Sequence, residues 1–168
     1  DSLTNPIGIK LIKDSVLVIS SNLYYTKLFQ LNKKNNWELK ANLPPAENFK
    51  FYKNSLFLKS KRLINIINLT NPANPQIVGE INQINYISSF IVFDNYVLTT
   101  SDNNKLILYR KINGDFFSCF SSDYSRIISS AIMDSLLFFE TIDNNLYVWN
   151  ISKICFTPDT IIKTNGYC

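Results

Sequence analysis

The stretch KNSLFLK, residues 53–59, returns three more times in the chain, as KDSVLVI at 13–19, FDNYVLT at 93–99 and MDSLLFF at 133–139. Each copy begins with a short polar signature and continues into an apolar run. The acid or amide of the signature is Asp14, Asn54, Asp94 and Asp134, and 54−14, 94−54 and 134−94 all equal 40 residues. Equal spacing of this kind is the mark of a repeat architecture, so the fold is sought in the unit rather than in the whole chain.

Working outward, an apolar or alternating run precedes every signature: IGIKLI from Ile7, NFKFY from Asn48, SSFIVF from Ser88 and ISSAIM from Ile128. These runs are rich in Ile, Phe and Val and too short for helices, so they read as strands. The Asp/Asn pair makes a tight turn, because such side chains hydrogen-bond their own backbone and tolerate left-handed dihedrals. The signature's apolar residues form a second strand. A polar turn and a third run follow: KLFQL from Lys27, LINIINL from Leu63, LILYRK from Leu106 and LYVWNI from Leu146. A fourth run closes the unit in WELKANL from Trp37, QIVGEI from Gln76 and DFFSCFS from Asp115, and its counterpart after Cys155 is the least clear. Pro72 and Pro75 fall between the third and fourth runs of the second unit. They lack donors and so belong to a connection, not to a ladder.

Four short antiparallel strands every 40 residues predict an all-β protein, a β-propeller of four-stranded blades. The units run over about 6–44, 45–82, 83–122 and 123–154, and a Cys-bracketed tail or the start of a following module occupies 155–168. A β-sandwich or a pair of sheets is the alternative with similar strand spacing. Four blades close a small ring or form part of a larger one, so further blades or a partner chain are expected against the open faces. The chain begins at Asp1 without a Met and reads as a processed product or a piece of something longer.

The run LINIINLTNPANPQIVGEI, residues 63–81, resembles the LVIVD repeat, a propeller unit of bacterial and eukaryotic surface proteins. Asn71-Pro72, Pro75, Ile77, Val78 and Gly79 carry the resemblance, and NSLFLKS before them matches the strand that opens that repeat. The other three units share its strand rhythm without the Asn-Pro turn, and LYVWNIS from Leu146 looks like the end of a WD-repeat blade. The resemblance implies the propeller fold and a surface location.

Composition narrows the chemistry. There is no His among 168 residues, which removes Ser-His-Asp and Cys-His catalysis and the commonest transition-metal ligand. The four Gly leave no glycine-rich phosphate loop, and the sialidase turn Ser-x-Asp-x-Gly-x-x-Trp is not found. The net charge of +4, from 17 basic and 13 acidic side chains, is too mild for a nucleic-acid partner. No apolar run reaches the length of a membrane span and no basic-then-apolar leader stands at Asp1.

Several residues remain as candidates. Asp14, Asn54, Asp94 and Asp134 would form an arc on one rim, either as turn caps or as oxygen ligands for a hard cation. Asn68-Leu69-Thr70 and Asn150-Ile151-Ser152 are sequons, making Asn68 and Asn150 glycosylation candidates. Cys155 and Cys168 bracket a loop suited to a disulfide, while Cys119 would fill a core position in the fourth strand of the third unit. Lys33 and Lys34, and the group Lys59, Lys61 and Arg62, read as solvated hairpin tips. The tyrosines are spread over different strands, as packing between neighbouring sheets requires.

No cofactor or metal is expected. The leading expectation is a non-catalytic structural or protein-interaction module of a secreted or cell-surface assembly, with protein partners that include further blades or subunits. An intracellular WD-repeat-like adaptor with free thiols is the first alternative. A carbohydrate-active enzyme is the second; it requires at least two of Asp94, Asp102, Asp123, Asp134, Glu140 and Asp143 within about 10 Å in one pocket.

Overall fold

A computed structural model describes residues 6, 8–12, 15–21, 24–123, 127–134, 136–150 and 160–163. The described residues hold strands and turns and no helix. The strands build four separate antiparallel sheets of four, each in chain order. The first comprises β1 (Gly8–Ile12), β2 (Val16–Ser21), β3 (Tyr25–Leu31) and β4 (Trp37–Leu43), and the second β5 (Asn48–Tyr52), β6 (Ser55–Ser60), β7 (Leu63–Asn68) and β8 (Gln76–Asn82). The third holds β9 (Ile87–Phe93), β10 (Tyr96–Ser101), β11 (Lys105–Ile112) and β12 (Asp115–Asp123), and the fourth β13 (Ile127–Met133), β14 (Leu136–Thr141), β15 (Asn145–Asn150) and β16 (Thr160–Lys163). Four separate sheets replace the two of a sandwich. The fourth sheet extends beyond 154, because its outer strand comes from TIIK inside the stretch read as a tail: Ile161 pairs with Tyr147 and Ile162 with Leu146.

The hairpins explain the repeat and adjust its register. Tyr52 pairs with Ser55, Phe93 with Tyr96 and Met133 with Leu136, so each of these turns spans two residues. The first turn residue has a left-handed φ in all three: 54° at Lys53, 43° at Asp94 and 53° at Asp134. Lys53 therefore stands where the two aspartates stand, and Asn54 is one position later than the even spacing placed it. Asp14 lies outside the described residues. The outer strand of each of the first three sheets is interrupted at the same ladder step, where Lys40, Val78 and Cys119 form bulges. A bulge at an edge bends the strand and spoils it as a template for further pairing. The prolines lie as expected in the β7–β8 connection, where Asn71 Oδ1 accepts the Ala73 amide.

The chain divides into two compact units, residues 1–84 and 85–168, of two sheets each. In unit 1, Val16, Val18 and Leu28 of the first sheet share a core with Leu56, Leu58 and Ile67 of the second. In unit 2, Leu98, Leu106 and Leu108 of the third sheet meet Leu137, Phe139, Tyr147 and Trp149 of the fourth. Trp149 is fully buried, edge-on to Phe139 at 5.1 Å and to Phe120 at 5.2 Å. Each side chain of this size contributes roughly 2–3 kcal/mol by leaving water. Within each unit the first strands of the two sheets approach one another, β1 beside β5 and β9 beside β13.

Candidate functional site

The most chemically varied cleft lies where β1 and β5 converge in unit 1. Gly8 allows the approach, since a Cβ there would stand 2.7 Å from Phe49 Cε1. Gly8, Ile9, Lys10, Glu47, Asn48 and Phe49 line a space of about 280 Å³. Lys59 Nζ donates to Glu47 Oε2 at 2.7 Å, with only 5% and 15% of the two side chains exposed. The pair neutralises charge that the second sheet would otherwise bury alone. Burial, and after it the Lys10 cation, push the Lys50 amine below the ordinary lysine range. Of these charged groups Lys10 and Glu47 line the cleft itself, one ammonium beside a compensated carboxylate, an arrangement suited to holding a polar group.

Unit 2 has a cleft of about 360 Å³ lined by Ser129, Ser130, Ala131, Phe138, Phe139, Glu140 and Leu146, where the Ser129 hydroxyl donates to Glu140 Oε2 at 3.1 Å. Another of about 410 Å³ is lined by Tyr86, Ser88, Ser101, Asp102 and Asn104. Two pairs among the six carboxylates of the enzyme reading are separated by the strands that carry them. Asp94 and Asp102 flank opposite ends of β10, and Asp134 and Asp143 opposite ends of β14. A six-residue strand spans about 20 Å. Among the described residues no group of three or more acidic or cysteine side chains is arranged to hold a metal, and the exposed Asp94 and Asp134 serve as turn residues.

Other candidates fall at defined places. Asn68 ends β7 with its Oδ1 accepting the Thr70 amide at 2.9 Å and the Thr70 hydroxyl at 2.8 Å, an Asx turn built from the sequon itself. Asn150 ends β15 and is half-buried, while Ile151 and Ser152 lie outside the described residues. Cys155 and Cys168 also lie outside them. Cys119 is an exposed free thiol, not a core residue, and stands at the bulge of the edge strand β12. Its Sγ reaches the Leu108 carbonyl at 3.4 Å, and desolvation against the strand outweighs the Arg110 cation to push the thiol up.

Lys33, Lys34, Lys61 and Arg62 are exposed at hairpin tips, but Lys59 is buried. Sequence reasoning grouped Lys59 with its basic neighbours. The overlooked signal was its alternation with Phe57 on one face of β6. The Glu47–Lys59 pair was equally invisible, because its partner lies 12 residues away across a turn.

No family model and no curated protein matches the chain. Solved structures do. The computationally designed Ika4 protein superimposes with a TM-score of 0.67 at 12% identity, over 90% of this chain and 94% of that one. Hsv2 from Kluyveromyces lactis gives a TM-score of 0.67 at 15% identity over 87% of this chain, which spans about half (49%) of the Hsv2 chain. At such identities the likeness shows the fold alone. No helix among the described residues is long and apolar enough to cross a membrane.

Proposed function

We propose that the four sheets are consecutive blades of a β-propeller, and that the chain is a non-catalytic scaffold presenting its loops to protein partners in a secreted or cell-surface assembly. The observation that carries the reading is the convergence of first strands within each unit, β1 on β5 and β9 on β13. Blades set around an axis bring their first strands together and send their fourth strands outward. The likeness to Hsv2 is consistent with this arrangement. The LVIVD-like segment from Leu63 to Ile81 favours the surface location.

The loops offer what a partner would touch. Lys33 and Lys34 project at the β3–β4 turn and Lys61 at the β6–β7 turn, all exposed on a rigid frame. Amine cross-linking of native material followed by peptide mass spectrometry tests the reading, with one aliquot deglycosylated and one reduced. Cross-links from these lysines to other proteins are expected, with glycan on Asn68 or Asn150 or a Cys155–Cys168 bridge marking an oxidising compartment. Bare asparagines and free thiols would move the protein to the intracellular adaptor reading. An absence of intermolecular cross-links would overturn the scaffold role.

A further inference from the structure

Both units join their sheets through the same pair of faces. In unit 1 the first sheet offers Val18 and Leu28, and the second receives them on a face that includes Leu56, Leu58 and, on the first strand, Phe49 and Phe51. In unit 2 Leu98 and Leu108 play the offering part and Leu137 and Phe139 the receiving one. The contact is therefore head to tail, one face type always meeting the other.

The ladder registers show which faces lack this partner. Leu11 pairs with Leu17 and Ile9 with Ile19 in the first sheet, as Phe51 pairs with Leu56 and Phe49 with Leu58 in the second. Ile9 and Leu11 thus hold the places of Phe49 and Phe51 on a receiving face. Phe49 and Phe51 pack on a core, whereas Ile9 is 64% and Leu11 53% exposed. In the fourth sheet Phe138 and Val148 hold the offering places of Leu98 and Leu108, and both are only half-buried. The two faces are also opposite in charge. Lys27 pairs with Ile19 and so shares the receiving face of the first sheet, while Glu140 shares the offering face of the fourth with Phe138.

We propose that the open face of the first sheet is a docking site for the fourth sheet of a second copy of this chain. The occupant follows from repetition: in both units such a face is covered by the offering face of a like sheet, and the described residues leave Ile9 and Leu11 open. Each copy both gives and receives, and head-to-tail faces of this kind close a ring when the rotation between copies allows it. The inference rests on the blade reading above, since two copies of four sheets would complete an eight-bladed ring, within the usual range of propellers.

Light scattering behind a sizing column, at about 50 µM protein, tests it against mass action. The expected mass is about twice the 19.4 kDa of one chain. Leu11→Glu should return it to one chain, and Ile77→Glu, a similarly exposed (58%) site on β8, should leave the pair intact. Lys27→Glu should weaken the pair and Lys27→Glu with Glu140→Lys should restore it, which keeps the test valid if Leu11→Glu unfolds. A wild-type monomer, or a pair indifferent to both Leu11→Glu and Lys27→Glu, overturns the proposal. Neither result touches the blade reading, which rests on the packing of first strands within each unit.

Discussion

Lys59 and Glu47 illustrate how a single position is decided by its surroundings. The ammonium sits in a sheet interior where an unpaired charge is costly, so the carboxylate is required more by the lysine than by the fold. Glu47→Leu is expected to cost about 3 kcal/mol in urea unfolding, because the ammonium is left buried, whereas adding Lys59→Met should recover much of that loss. Cys119 makes a different point. Desolvation holds its thiol above the ordinary value, so the thiolate fraction at any given pH is smaller than for a free cysteine. Its iodoacetamide reaction should be slower than that of free cysteine at the same pH and should accelerate only as the pH climbs toward the raised value. Residue type and spacing reveal neither behaviour: the three cysteines look alike in sequence, and only the sheet order, which puts β12 at an edge, accounts for the exposure of Cys119.

At the scale of elements, fifteen of the sixteen observed strands correspond to runs readable from alternation, because strand formation follows local apolar patterning and turn chemistry. NFKFY and WELKANL coincide with β5 and β4 to the residue. What escaped is instructive. β16 has four residues, TIIK, whose place is fixed by pairing with β15 and not by any pattern of its own. The Lys53 turn lost a residue from the even register because a lysine is not an obvious left-handed residue, although Tyr52 and Ser55 close the hairpin around it. Gly8 is another element-scale choice. It lets β1 lie against the Phe49 ring, so Gly8→Val should push the two strands apart and destabilise unit 1 by about 1–3 kcal/mol, seen as a lower urea midpoint with an unchanged slope.

For the whole molecule, every sheet has two inner strands paired on both sides and two edge strands paired on one. Hydrogen exchange should therefore be slowest in β6, β7, β10 and β11, and fastest in the outer strands β4, β8 and β12; equal protection of edge and inner strands would contradict the sheet order. The candidate cleft belongs to this scale as well. Lys10 is far in sequence from Glu47 and Phe49 and meets them only because two first strands converge. The amino-acid sequence alone determined that the protein is all-β, that it repeats about every 40 residues and where nearly every strand begins, since those features depend on side-chain alternation and turn residues a few positions apart. Tertiary structure alone decided that the strands form four sheets rather than two, which lysine is buried, that Cys119 is exposed and which sheet faces stay open. Those outcomes depend on packing between elements that local sequence does not encode.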